Sequence, residues 1–574
     1  MHSASSGAEG SAASVSGSDA RGSGDNSIPW LHHQSGDEDV ILCGPSIYGS
    51  GWLEEAFIEG RAGHDGSASK SGQNARDEED LPALQVACAC LITFAEAFQL
   101  GMRLTFLPFF LKDLGYEGKR NSLAVGLVLA VLFVGMTIGA MPWGAFSDRY
   151  GRRPTLLVSN AGAITALLVF GSATSLAQVA IGEFFGGLLN TSSSVLNAWV
   201  NEFCGEQRKA KGFSFLMVAY GVGVIIGPAL GGFLADPAEQ HPEWAALQAP
   251  LWRRFPYLLP CVVAAALLAV VWFVTLVFAE ETLPEPKALP WPCRRKRKSS
   301  ALVLAEDADG SEPLADEPGG AGAAAPLVDL SLLKDERIGK AIGLYVIISL
   351  WFLVLEESVL FLFVGPREDG GGGLSNVSLG LVTGGASVVL FAAPFFLPPL
   401  ERRYGRVGVV GKGFLVLAPM SLVFPVVASV LSAFSAEVAV AMGVFTLLAA
   451  AKNLAASAIL AAVFMLINDS VDNDSSRLGL VNGTAQLVVG FFRTVGSLFA
   501  GALWSAGLHI SFAPDFLAFV VLACSAIAAS VYVAFMERGA RRAGGYAHLR
   551  AFDDETKEGP SERSFEDEAK EGLV

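Results

Sequence analysis

The sequence predicts an all-α membrane protein of twelve transmembrane helices in two six-helix bundles. Of its 574 residues 52% are hydrophobic and only 17% are charged, against about 25% in a soluble domain. The apolar residues gather into two blocks of about 200 residues, and each block holds six runs close to the ~20 residues that span ~30 Å of hydrocarbon. A long polar segment separates the blocks. An ordinary soluble enzyme is excluded.

The first block's runs fall near 84–111, 121–143, 155–174, 176–200, 211–235 and 255–279. Those of the second fall near 338–364, 375–398, 408–431, 438–466, 479–503 and 513–536, and together they are numbered helices 1 to 12. The implied organisation is a tail 1–82, a bundle 83–282, a central loop 283–336, a bundle 337–537 and a tail 538–574. Both tails are acidic, as in Asp77 to Asp80 and Glu566 to Glu568, and hold most of the excess behind the formal charge of −16. Such composition reads as solvated and disordered.

Lysines and arginines near helix ends set the orientation. Arg149, Arg152, Arg153, Arg208, Lys209, Lys211, the run Arg294 to Lys298, Arg402, Arg403, Arg406, Arg477, Arg538, Arg541 and Arg542 share one side. The other side keeps Lys112, Lys119, Arg120, Arg253, Arg254 and Arg367. Both termini and the central loop are therefore expected in the cytoplasm. The first thirty residues have no basic start and no apolar core, so helix 1 is the expected insertion signal.

Seven cysteines without metal or disulfide spacing predict neither a metal nor a disulfide framework. No Gly-x-x-x-x-Gly-Lys string is present to hold ATP, and the seven histidines lie in tails, loops or helix ends. Neither an enzyme, a cofactor nor a nucleic-acid partner is expected.

The loop after helix 2 reads Gly144-Ala-Phe-Ser-Asp148-Arg149-Tyr-Gly151-Arg152-Arg153-Pro154. A glycine in the last turn admits a neighbouring helix, and Asp148 stands where a carboxylate can pair with cations or cap the next helix, so that Gly144, Asp148, Arg149, Gly151, Arg152 and Arg153 are expected to form a gate whose ion pairs lock one state of a rocking protein. Helix 5 carries Gly221-Val-Gly223-Val-Ile-Ile-Gly227-Pro228-Ala-Leu-Gly231-Gly232. Glycines four apart make a flat face, and the proline removes a backbone donor. The second block repeats both strings weakly, as Pro399-Leu-Glu401-Arg402-Arg403-Tyr404-Gly405-Arg406 and Val495-Gly496-Ser-Leu-Phe-Ala500-Gly501, which supports an internal duplication.

The first string resembles the helix 2–3 signature of the major facilitator superfamily, and the second the helix 5 motif of its proton-coupled antiporters. Phe255-Pro256-Tyr257-Leu258-Leu259-Pro260-Cys261, Glu281-Thr282-Leu283-Pro284 and Leu478-Gly-Leu-Val-Asn482-Gly483-Thr-Ala-Gln486 are similar to the zinc-induced facilitator-like branch of plants and its fungal relatives. The resemblance spans nearly all of 83–537 and implies a major facilitator fold exporting small organic molecules, metal chelators included, in exchange for protons. It departs in helix 4, where the family's arginine is replaced by a carboxylate, Glu183, before Phe184-Phe185-Gly186.

Ionisable groups at membrane depth are costly and ask for a partner or a role. They are Glu96 and Arg103 in helix 1, Glu183 in helix 4, Glu356 and Glu357 in helix 7, Lys452 in helix 10 and Arg493 in helix 11. Arg103 and Glu183 fall at similar depth and can pair. Glu183, Asn190 and Asn197 recur every seven residues, a polar stripe on one face of helix 4. Lys452 and Arg493, near the midplane, favour an anionic or zwitterionic solute. Glu96, about 18 Å from the inner end of its helix, and Glu357 are the carboxylates best placed to load and release a proton, whereas Glu356 also fits the headgroup level.

The expected protein is a secondary transporter working by alternating access, most simply as a proton antiporter and a functional monomer. It would sit in the plasma or vacuolar membrane, with lipid, protons and a small organic solute as its partners. A solute sensor of the same fold and a proton-coupled uptake carrier are the alternatives.

Overall fold

The computed structural model of the chain describes residues 82–190, 192–204, 208–283, 330–471, 475–508 and 516–542. The acidic tails and most of the central loop lie outside the described residues. Among those described there is no strand.

The first half comprises α1 (Ala83–Asp113), α2 (Lys119–Tyr150), α3 (Arg152–Gly171), a two-piece α4 (Leu176–Leu188 and Ser192–Cys204), α5 (Lys209–Leu234) and α6 (Leu258–Phe278). The second opens with α7 (Glu336–Val364). Next, α8 begins as Asn376–Ser387, passes a 3-10 turn Val388–Phe391 and enters a helical run Ala393–Ala433. Gly405, at φ 69°, breaks that run, so residues 393–404 end α8 and 406–433 form α9. Then come α10 (Val438–Asp469), α11 (Ser475–Gly507) and α12 (Phe516–Arg542).

Ten of these helices are long and apolar enough to cross a membrane, and the shorter apolar pieces are Leu176–Leu188 and Asn376–Phe391, where α4 and α8 start. Caps mark several starts. The Ser175 hydroxyl accepts from the Gln178 amide, Asp335 from those of Arg337 and Ile338, and Ser375 from that of Ser378.

One expectation fails locally. Helix 4, read as a continuous run over 176–200, is interrupted between Leu188 and Ser192, and Asn190 stands in the break. The seven-residue stripe of Glu183, Asn190 and Asn197 therefore does not run down one helix face. The indole of Trp143 on α2 donates to the Leu188 carbonyl at 2.9 Å, which supplies a partner where the helical ladder stops.

The glycines of helix 5 face two ways. A Cβ on Gly223, Gly227 or Gly231 would lie 2.6, 2.4 or 2.7 Å from the carbonyl oxygens of Phe94, Phe98 and Met102, so this row beds α5 against α1 inside the first half. Gly232 and the Pro228 carbonyl face the second half: a Cβ on Gly232 would meet the Asn376 carbonyl at 2.1 Å, and one on Gly380 the Pro228 carbonyl at 2.3 Å, while the Pro228 ring packs on Gly101 of α1.

Across the other contact between the halves, a Cβ on Gly126 of α2 would lie 2.6 Å from the Ser497 carbonyl of α11, and one on Gly501 2.5 Å from that of Ser122. These approaches lie toward the ends of α2, α5, α8 and α11 opposite the helix 2–3 loop. That end is the far face, and the loop end the near face.

Replacing Gly227 by valine puts two methyl groups where backbone already sits. Overpacking of this kind costs about 1–3 kcal/mol, so purified G227V should melt several degrees below wild type. An unchanged melting point would mean that α1 and α5 are not held together by this row.

Candidate functional site

Between the halves lies a cavity of ≈ 480 Å³. The first half gives it an apolar wall, with Leu100, Leu129, Phe133 and Val224, and the hydroxyls of Thr105, Ser214 and Tyr220. All four charged groups on the lining, Glu356, Glu357, Lys452 and Arg493, come from the second half. Ser214 and Phe395 extend the lining toward the near face.

Lys452, 2% exposed, donates to Glu356 and lies 5.4 Å from the Phe352 ring centroid. Its charge is answered, and Glu356 faces the cavity rather than headgroups. Glu357 is 3% exposed; its Oε1 accepts from the Ser497 hydroxyl and its Oε2 has no hydrogen-bond partner. Arg493 is half-buried, and no ion pair or hydrogen bond reaches it among the described residues. The wall thus offers one unanswered cation and one carboxylate with a spare oxygen, a pattern suited to an acid group and a proton or second cation.

The remaining depth residues stand elsewhere. Arg103 Nη1 meets Glu183 Oε2 at 2.7 Å with both side chains buried, as their depths predicted. Gly186 leaves room for the guanidinium: a Cβ there would lie 3.1 Å from Nη1. This pair is off the cavity wall, as are Glu96, Asn190 and Asn197. The reason is rotational. α1 presents Ala97, Leu100, Gly101 and Leu104 to the cavity, while Glu96 and Arg103, seven apart, share a different face.

At the near face Arg152 binds the first half together. Its guanidinium reaches Asp148 at 2.5 Å, Glu202 of α4 at 2.8 Å and the Ser147 hydroxyl at 2.8 Å. Asp148 therefore pairs inside its own half and is 56% exposed. Arg149 stacks on Tyr150 at 5.6 Å, Arg153 donates to the Leu276 carbonyl, and Gly144 sits in α2 ahead of them.

Glu281, beyond α6, accepts from the backbone amides of Arg152 and Arg153 at 2.9 and 3.1 Å and so caps α3. Gly151, at φ 107°, makes space for that carboxylate, since a Cβ would lie 2.3 Å from Glu281 Oε2. In the second half Arg406 pairs with Glu401 and with Asp469 of α10. The weak sequence repeat is thus a repeated clamp.

The Glu202, Glu281 and Asp469 partners were not foreseen. Their only signal was an acid at a helix end on the side of the loop arginines. Ser497, Gly126 and Gly380 carried no signal that sequence spacing could isolate.

On the far face, the Tyr257 hydroxyl donates to Asp113 at 2.5 Å and meets the Asn376 side chain. Asp236, in the left-handed region at φ 46°, lies beside it. Burial, with Glu239 and then Asp113 nearby, pushes the Asp236 carboxyl up to about 6. Among the described residues no group of three His, Cys, Asp or Glu could hold a metal ion.

The family profile described as Major Facilitator Superfamily matches residues 89–492. The Arabidopsis thaliana protein ZINC INDUCED FACILITATOR 1 is 28% identical over 457 residues, 79% of this chain and 90% of that protein. Efflux pump azaK of Aspergillus niger is 25% identical over 400 residues, 69% of this chain and 75% of that pump. The crystal structure of the nucleoside transporter NupG superposes with a TM-score of 0.55 at 11% identity, covering 79% of this chain and 98% of that one.

Removing one partner of a buried ion pair strands the other and costs about 3–5 kcal/mol. Arg103→Gln and Glu183→Gln should each lower the melting temperature strongly, and the swap Arg103→Glu with Glu183→Arg should regain part of the loss. Losses that simply add would mean that the two do not interact.

For Asp236 the folded carboxyl keeps its proton to about 6, against 3.8 ordinarily. The folded state therefore binds more protons between those values, and the group's contribution to stability is present below that window and lost as pH rises through it. Asp236→Asn should raise the melting temperature at pH 7.5 and leave it unchanged at pH 3.5. Equal shifts at both pH values would refute the assignment.

Proposed function

The chain belongs to the Major Facilitator Superfamily, and from that premise we propose that it is a proton antiporter exporting a small anionic or zwitterionic organic solute from the cytoplasm. Membership makes it a multi-pass membrane transporter rather than an enzyme. Similarity to a fungal efflux pump supports the direction. The plasma membrane and the vacuolar membrane both fit, with the near face and both termini cytoplasmic, and a cavity complete within one chain supports a functional monomer.

The observation that carries the reading is Arg493, a cation on the cavity wall with no partner among the described residues, on the same lining as the half-satisfied carboxylate of Glu357. An acid group of the solute takes Arg493. A proton, or a positive group of the solute, takes Glu357. Competition for one carboxylate makes the two cargoes alternate, which is what exchange requires. The helix 5 row beds α5 on α1, so the first half moves as a body past the second.

Proteoliposomes with an imposed pH gradient, screened with labelled organic acids and amino acids, test this. Glu357→Gln should still exchange labelled for unlabelled solute yet fail to accumulate it against a gradient, and Arg493→Gln should weaken solute binding about tenfold or more. If Glu357→Gln accumulates normally, the coupling carboxylate is not Glu357, and Glu96 is next to be tested.

A further inference from the structure

Ser497 is fully buried on α11 and touches two parts of the transporter at once. Its hydroxyl donates to Glu357 of α7. Its carbonyl oxygen closes on Gly126 of α2, where a Cβ would lie 2.6 Å away. Arg493 stands four residues before it and Gly501, which closes on the Ser122 carbonyl, four residues after. Residues four apart share a helix face. One stripe of α11 therefore carries the solute's cation, the partner of the carboxylate and the closed contact of the far face.

We propose that Ser497 is a positioning residue that keeps the empty, unprotonated transporter from crossing, by tying ionised Glu357 to α11 where α11 closes on α2. This rests on the reading of Glu357 as the coupling carboxylate. A hydrogen bond to an ionised carboxylate is about twice as strong as one to its neutral form. With Glu357 ionised, α7 and α11 are held together and the far face stays shut.

Protonation weakens the tie, and the hydroxyl can turn to the carbonyl four residues back on its own helix. Solute on Arg493 perturbs the same stripe. Either cargo releases the catch, and the unloaded protein stays put. Among the described residues the other charged groups on the cavity wall are Glu356 beside Glu357 on α7, Lys452 on α10, paired with Glu356, and Arg493 on α11.

Hydrogen exchange of the full chain in nanodiscs without solute, followed by mass spectrometry at pH 5 and pH 8 and corrected for intrinsic rates, tests this. The reporting segments are 119–130 and 497–508, with segments of α3 as a control for folding. In wild type both reporters should exchange about fivefold more slowly at pH 8.

Ser497→Ala and Glu357→Gln should exchange fast at both pH values, the double variant no faster than Ser497→Ala, and Ser497→Thr should restore the difference. A wild type without a pH difference, or Glu357→Gln that keeps it, overturns the coupling reading together with this one. If Glu357→Gln loses the difference while Ser497→Ala keeps it, the role of Ser497 alone is overturned. The same holds if Ser497→Thr, folded by the α3 control, fails to restore it.

Discussion

Hydrocarbon tolerates charge only where another group answers it, and that constraint arranges the interior of this protein. Arg103 is answered by Glu183 and Lys452 by Glu356, each across two helices. These pairs fix helix against helix inside a half. On the cavity wall, Arg493 and the second oxygen of Glu357 are left without such an answer among the described residues.

The same economy governs the near face. Arg152 gathers the ends of α2 and α4, and Arg406 those of α8 and α10. Each half is braced by one arginine on two carboxylates, so each resists internal distortion. The halves meet instead at close backbone approaches, Gly126 against Ser497 and Gly232 against Asn376, and at uncharged side chains such as Tyr257 against Asn376. Contacts made of backbone surface can part without breaking an ion pair. The stiffness lies within halves and the yielding between them.

Much of this was legible in the sequence. Run lengths gave the helix count, the loop cations marked where ion pairs form, and the glycine row marked a close-packed face of helix 5, though neither told which helix or carboxylate would meet it. Depth counting allowed the pair of Arg103 with Glu183 that forms, but also placed both in the cavity, whose lining holds neither. It could not tell which face each residue shows, because a one-residue step turns a helix side chain by ~100°. Glu96 was therefore expected in the cavity although Ala97 is the residue that lines it. The break in α4 was not foreseen although Asn190, Thr191 and Ser192 are residues that favour turns and caps, because the length of the run over 176–200 was weighed ahead of them. Ser497 escaped because a serine in an apolar helix shows no partner until the facing helix is known.

The two walls of the cavity differ in kind: every charge belongs to the second half, while the first offers hydrocarbon and a few hydroxyls. On the proposed reading, a cargo anchored by its ionic end has a single owner through the whole stroke. Only the greasy, weakly directional surface has to slide past it. No strong bond need be broken midway, so the path stays smooth, and the shape of the cargo's apolar body can vary widely so long as its charged head is kept. Such a transporter is discriminating at one end and permissive at the other.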